Sequence, residues 1–442
     1  MRVVVIGAGT GGMCLAHGLR RAGIEVAVYE RDRTRADGLH GYRVGIDPTG
    51  NRALHACLPP ELFATYLATC ARAPRYFNVL TGRMRRTATF PLRPDTDPVR
   101  SERSVSRMTL RQVLLTGLDE VVRFDKTFTH YERHPDGTVT AHFADGTSDT
   151  GDLLVAADGT RSAVRRQHLP AARIRDTGVV SITAKAPLGP ELRDALPAEV
   201  FQGLSLIFAG RGLMGILHVM EFGWDERGTP KAGIGTADAD LIARWPGLLY
   251  DNTRDYVNLA VWSAAERFPA DVRQRRGAEL LDLAGELTRD WHPTLRGIFA
   301  ASDPASCFPV SLATSEPVRP WPTSTVTLLG DAIHTMTPGQ GVGANTALRD
   351  AALLTRQLSA AAAGEKPLLR AVADYEAEMI PYGFARVADS LHNNGTSGDD
   401  PLYRPVAGRF ALAGARTYFG LSSRVPPLRR RFLANLYDYR GA

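Results

Sequence analysis

The chain has little lysine, few cysteines and no long hydrophobic run. No apolar stretch approaches the roughly 20 residues that a helical membrane span requires, so no transmembrane segment is expected. Cys14, Cys57, Cys70 and Cys307 are the only cysteines, and they show neither metal-ligand nor C-x-x-C spacing. They read as reduced thiols, a cytoplasmic setting follows, and no metal site is expected. A strand begins immediately at the N-terminus, so no signal peptide is expected. Internal repeats and low-complexity segments are absent, which leaves an ordinary globular chain long enough for two domains.

Lysine supplies only four of the 53 basic residues. That bias suggests a GC-rich bacterial genome and says nothing of function. The net charge is +6, and residues 401–442 hold eight arginines against one acid, Asp438. The tail therefore accounts for the whole excess. A run such as Arg429, Arg430 and Arg431 is either a solvated face or a contact for an acidic partner, a membrane surface or phosphates. No nucleic-acid-binding motif accompanies it, so nucleic acid is not an expected partner.

What is present begins with residues 3–6, a β-branched apolar run that reads as a buried parallel strand. Gly7, Gly9 and Gly12 come next with G-x-G-x-x-G spacing, and residues 13–22 then repeat apolar positions at helical intervals. The first glycine permits a tight turn, the second admits a pyrophosphate to the backbone, and the third lets helix and strand pack closely. The helix start offers free N–H groups and a favourable dipole to phosphates. A second strand, residues 25–29, ends at Glu30, whose carboxylate suits ribose hydroxyls and repels a 2′-phosphate. Strand, glycines, helix, strand and acid in that order indicate a dinucleotide site, against the alternative of a βαβ turn that binds nothing. Two other stretches imitate the spacing. Gly210, Gly212 and Gly215 lead into strand-like residues and read as a β-hairpin over 204–222. Gly339, Gly341 and Ala344 open a helix.

Further along, residues 76–91 and 121–151 read as strands, the latter with Asp-Gly hairpin turns at 136–137 and 145–146. Residues 108–118 are helical, 172–267 are mainly strands, and 280–291 are helical again. A strand over 326–329 leads to Gly330 and Asp331, and a helix covers 345–358. Residues 370–391 form a helix interrupted near Pro381. A polar linker spans 393–401 before a helical tail.

Three more motifs stand out: Ala157-Asp158-Gly159-Thr160-Arg161-Ser162-Ala163-Val164-Arg165, Ser106-Arg107 ahead of a helix, and Gly330-Asp331-Ala332-Ile333-His334-Thr335-Met336-Thr337-Pro338. The last continues through Gly343, Ala344 and Asn345 to Arg349-Asp350-Ala351. With the N-terminal fingerprint, their order and spacing resemble the single-component (group A) flavoprotein monooxygenases of the p-hydroxybenzoate hydroxylase type, over residues 1 to about 390. The resemblance implies an α/β fold with a Rossmann-like FAD-binding domain of the GR2 type, interleaved with a β-sheet substrate domain and followed by C-terminal helices. The FAD domain would comprise 1–75, 104–171 and 300–365, the substrate domain 76–103 and 172–299, and the helical, arginine-rich region 366–442.

The resemblance also implies non-covalent FAD held by Gly7, Gly9, Gly12, Glu30, Arg31, Arg43, Arg107, Asp158, Asp331, Gly343, Ala344 and Asn345. Asp331 would bond the ribityl chain, against the alternative of a helix cap with no ligand. The backbone at 343–345 would face the flavin N1–C2=O edge. Arg107 would lie near the ribityl chain and pyrophosphate, Arg31 at the adenosine, and Arg43 on a loop beside the flavin. NADH or NADPH would bind transiently and reduce the flavin. Reaction with O2 to a C4a-hydroperoxide would then hydroxylate an aromatic or polyketide-like substrate, as in natural-product tailoring. His218, Met220 and Phe222 share a strand face and are pocket candidates. His218 is a candidate base, or a satisfied core histidine. His334 reads as structural. The tail would cover the pocket, join an oligomer interface, or meet an acidic partner such as a carrier protein. Two alternatives stay open: an FAD-dependent dehydrogenase, oxidase or reductase on the same fold, and a non-catalytic FAD-binding protein.

Overall fold

The computed structural model describes residues 1–35, 42–92, 97–223, 255–391 and 395–439. Two sheets organise these residues. The first has five parallel strands in the order Val326–Leu328, Leu153–Ala156, Arg2–Ile6, Glu25–Tyr29 and Val122–Arg123. Its central strands are buried throughout and carry continuous Val, Ile, Leu and Ala runs, as a sheet covered on both faces requires. Helix Thr10–Arg21 packs on it and against helix Gly343–Ala362, where Gly18 meets Thr355.

The second sheet has seven strands, ordered Phe308–Ser315, Ile174–Pro187, Tyr256–Ala264, Met214–Met220, Gly203–Phe208, Tyr76–Leu80 and Arg86–Pro91. One face holds a core of Val180, Ile182, Leu217, Leu259 and Val261 against helices Ala278–Leu287 and Pro293–Ala300. The other face is covered by the C-terminal helices Ala407–Arg424 and Pro426–Tyr439 through Leu412, Phe419 and Phe432. A small antiparallel sheet (Phe128–Arg133, Val139–Phe143, Ser148–Gly151) turns at Gly137 and Gly146, both at positive φ. A two-stranded ribbon pairs Arg43–Ile46 with Arg103–Ser106.

Several local outcomes differ from the sequence expectation. Helices Pro48–Cys57 and Pro60–Ala68 occupy a stretch to which the sequence pattern assigns no element. Proline at the first helical position needs no N–H there, and Asp47 caps the first helix by accepting from Gly50 N at 2.9 Å. Pro381 does not interrupt its helix, which runs unbroken over Leu368–Leu391. Buried contacts on both sides of the proline, at Met379 and Gly383, hold the helix across the lost hydrogen bond. Part of the expected strand region, 224–254, and the start of the expected linker, 393–394, lie outside the described residues.

Candidate flavin site

The glycine fingerprint connects strand Arg2–Ile6 to helix Thr10–Arg21. Gly7 adopts φ +109°, and a Cβ there would lie 2.4 Å from the Ala157 carbonyl oxygen. A Cβ on Gly12 would lie 2.2 Å from the Gly7 carbonyl oxygen. Only glycine allows this approach. The helix begins at Gly9 with no side-chain cap, so its first N–H groups and dipole are offered to a ligand. Glu30 is buried at the end of the second strand. One carboxylate oxygen accepts from Ala8 N at 2.7 Å and the other from Asp32 N at 3.1 Å. Each oxygen keeps a second lone pair for a ribose hydroxyl. Arg31 is exposed beside it and has no partner among the described residues.

Asp158 follows Ala157 at the back of the glycine turn. Its Oδ2 accepts from Ala163 N at 2.8 Å and Val164 N at 3.4 Å, while its Oδ1 is buried without a partner. Burial raises its pKa against the opposing hydrogen bonds of Ser162, Ala163 and Val164. Arg165, from the same motif, is buried and ties two motifs together. It donates to Thr160 O at 2.8 Å and to Ala332 O at 2.7 Å. No sequence signal marks that role, because the acceptor lies 167 residues away.

Asp331 opens the short helix Asp331–His334, whose N-cap is Gly330 and carries no side-chain cap bond. The helix-cap reading of Asp331 therefore fails. The carboxylate is exposed by surface area yet surrounded by protein mass, and both hold for a side chain at the floor of a recess. Desolvation raises its pKa, and the charges of His334 and Arg107 draw it back. Arg107 is thus near Asp331. Its guanidinium is exposed without a partner among the described residues, and its backbone N–H donates to Tyr42 O at 2.6 Å.

Helix Gly343–Ala362 also starts without a side-chain cap. Asn345 locks its first turn to the neighbouring ribbon: Oδ1 accepts from Asp47 N at 3.0 Å and Nδ2 donates to Gly45 O at 2.9 Å. His334 is fully buried and bonds Asp350 through Nε2 at 2.6 Å. Asp350 also accepts from Gly330 N at 2.8 Å and from the Tyr382 hydroxyl. Burial depresses the His334 pKa, but the charge and hydrogen bond of Asp350, with Asp331 nearby, outweigh it, and the net shift is upward. This cluster joins the motif loop to two helices, which makes His334 a structural tie. Asp350 belongs to the sequence motif, but nothing in the sequence marks it as the partner of His334, and nothing there singles out Tyr382.

Arg43 is a strand residue, not a loop residue. Its pairing with Ser106 in the ribbon fixes it there, and its side chain is spent on Ser104 Oγ at 2.9 Å and Glu102 at 3.2 Å. The three pocket candidates separate. Met220 and Phe222 join Tyr42, Tyr256 and Phe308 in an aromatic cluster, with Tyr42 stacked on Phe308 at 5.6 Å. The Tyr42 carbonyl also accepts from the Arg107 backbone N–H, which ties this cluster to the residue whose charge acts on Asp331. His218 instead lines a cleft of about 10 Å³ with Arg43, Arg72 and Glu221, room for about one water. Glu221 is buried there between Arg72 and Arg193, each at 2.8 Å. His218 keeps the strand face of Met220, but it lies outside the aromatic cluster and beside this ion-paired group. No metal was expected. The His130, Glu132 and His142 side chains do converge on the small sheet, but the two imidazoles stack with planes 7° apart. An ion in the plane of one ring would lie off the plane of the other.

Two family models match the two ends of this constellation: an NAD(P)-binding Rossmann-like domain over residues 5–44 and an FAD binding domain over residues 302–386. The 3-amino-4-hydroxybenzoate 2-monooxygenase PtmB3 of Streptomyces platensis is 31% identical over 386 residues, covering 86% of this chain and 84% of its own length. The chain belongs to the FAD-dependent monooxygenases of the p-hydroxybenzoate hydroxylase type. A solved structure from Photorhabdus luminescens, described as an FAD-containing monooxygenase, has the family fold at TM-score 0.75 and 33% identity, over 88% of this chain and 96% of that one. HpxO of Klebsiella pneumoniae, solved with FAD and uric acid, shares the fold at TM-score 0.75 and 22% identity over 100% of this chain and 96% of its own. The dual O-methyltransferase/FAD-dependent monooxygenase elcB of Phaeosphaeria nodorum is 30% identical over 94% of this chain and 46% of its own length. The chain spans about half the length of such dual-activity relatives. The relatives named above come from fungi and bacteria.

FAD is the family cofactor, and the residues present fit it. The glycine cradle admits a backbone-hugging pyrophosphate, the orphaned Asp158 Oδ1 awaits a donor, and the unpaired Arg107 beside Asp331 supplies a cation at the recess.

Proposed function

We infer that this chain is an NAD(P)H-consuming, FAD-dependent monooxygenase that hydroxylates an aromatic or polyketide-like small molecule. The observation that carries the reading is the aromatic cluster of Tyr42, Met220, Phe222, Tyr256 and Phe308, tied through the Tyr42 carbonyl to Arg107, whose charge acts on Asp331. Bound FAD supplies two-electron chemistry with a nicotinamide and activation of O2. The protein's part is binding and electrostatics. Gly7, Gly9 and Gly12 with the helix start at Thr10 hold the pyrophosphate, and Glu30 the adenosine ribose, with Arg31 beside it. Asp158 and Arg107 complete the grip, and Asp331 takes the ribityl chain. The N–H groups at Gly343, Ala344 and Asn345 meet negative charge at the flavin edge. The aromatic cluster is buried and excludes water. An aminohydroxybenzoate in the name of the Streptomyces relative supports the substrate class. The four buried free cysteines fit a reducing, cytoplasmic setting.

The test uses the purified yellow protein, NADH and NADPH in turn, and a panel of phenols and polyketide aromatics under 18O2. Label in the product is the expected result. Turnover without label would assign an oxygen-free dehydrogenase or oxidase. FAD that neither nicotinamide reduces, with or without panel compounds, would overturn the reading altogether.

A further inference from the structure

Helix Ala407–Arg424 has two apolar faces. Leu412, Ala415 and Phe419 pack on the seven-stranded sheet. Val406, Phe410, Tyr418, Leu421 and Val425 are 71%, 74%, 54%, 50% and 37% exposed. At about 100° per residue these five fall within an arc of roughly 120°, opposite the packed face. They are not scattered surface residues. Among the described residues, every exposed large apolar side chain except Met1 and Leu369 lies in this stripe or is Leu428, just beyond it. Arg409 and Arg424 are exposed beside the stripe, Arg416 turns inward to donate to Phe208 O, and exposed Arg429, Arg430 and Arg431 continue from the next helix. Between residues 401 and 437 there is no acid to balance them.

We propose that this ridge docks the enzyme on an anionic lipid surface. The charge decides against a second copy of the chain. A two-fold contact would set the same arginine stripe beside itself, with no carboxylate in the stripe to pair with it. The pattern favours lipid over an acidic protein. The exposed apolar side chains line one face of a helix, with arginines and no acid beside them, as in helices that lie in a membrane interface. A bilayer headgroup region yields to such a ridge, takes its apolar side chains, and attracts the flanking arginines. The helix is thus a peripheral anchor, lying along the surface without crossing it. This inference is independent of which substrate the flavin site oxidises.

Vesicle flotation of the full-length FAD-loaded protein tests it, with phosphatidylcholine vesicles against phosphatidylcholine–phosphatidylserine vesicles. Binding should favour the anionic vesicles by at least about tenfold and weaken with salt. Phe410→Ser, Tyr418→Ser and Leu421→Ser together should reduce binding about tenfold or more while flavin content and NAD(P)H oxidation hold, since each of these side chains is at least half exposed. Each of Arg424→Ala and Arg430→Ala should cost about fivefold. Equal binding to both vesicle types, or none, overturns the proposal. So does a dimer in light scattering that the triple variant converts to monomer while vesicle binding stays unchanged. Capture by polyglutamate beads with no vesicle binding would assign the ridge to an acidic protein and overturn it as well.

Discussion

Gly7-x-Gly9-x-x-Gly12 and Gly210-x-Gly212-x-x-Gly215 share one spacing and have opposite fates. The first turns a parallel strand into a helix, with backbone pressed so close that a Cβ on Gly7 or Gly12 collides with a carbonyl. The second forms a hairpin turn between Gly203–Phe208 and Met214–Met220, where Arg211 and Gly212 take positive φ and a Cβ on Gly210 would meet open space. The residues downstream of each turn make the difference. After Gly12 come apolar residues at helical intervals; after Gly215 comes an Ile-Leu-His-Val-Met run suited to a strand. The third stretch, Gly339-x-Gly341-x-x-Ala344, opens a helix as the first does. It is braced from outside by His334 before it and Asp350 after it. Glycine spacing marks backbone that can bend; the surrounding structure decides whether the bend holds a phosphate.

Substitutions at these three stretches sharpen the contrast. The largest effect belongs to the brace of the third. Asp350→Ala leaves a buried imidazole without its carboxylate and should cost about 3–5 kcal/mol in denaturant unfolding, with loss of bound flavin. The pair also carries a pH signature. The folded-state pKa of His334 is raised above its ordinary 6.5, so its stabilisation is complete below that value and fades as pH rises through the higher one. Urea midpoints should fall across that window, and His334→Gln should flatten the fall; an unchanged slope would mean that the pair does not set it. Next, Gly12→Ala should lose about 3 kcal/mol and most of the flavin-to-protein absorbance ratio, because the new methyl meets backbone that cannot yield. Asn345→Ala strands the Asp47 N–H and should cost about 1–3 kcal/mol, with weaker FAD retention in gel filtration. The smallest change is Gly210→Ala, expected within about 0.5 kcal/mol and with full flavin content. Flavin loss there would break the comparison.

The legible part of the sequence was local. The α/β class, the N-terminal turn and the Asp-Gly hairpins rest on backbone conformations that nearby residues dictate. Long-range pairing stayed hidden. Arg165 reaching Ala332, Tyr382 reaching Asp350, and Asn345 reaching Gly45 depend on segments that only the folded chain brings together. His218 shows the same limit. Its alternation with Met220 is real along the strand, but the Arg72–Glu221–Arg193 group fills the space beside it, and that group comes from three separate segments. Pro381 misled for a related reason: the proline rule describes an isolated helix, and this one is held by its neighbours.

The packing of helix Thr10–Arg21 against helix Gly343–Ala362 has a consequence for synthesis. The first helix emerges from the ribosome more than three hundred residues before its cover. At about 5–20 residues per second, it waits on the order of 20–60 s with an apolar face exposed. The edge strand Val326–Leu328 is equally late. The nucleotide unit is therefore a late-closing clasp: its oldest residues mature only with its youngest.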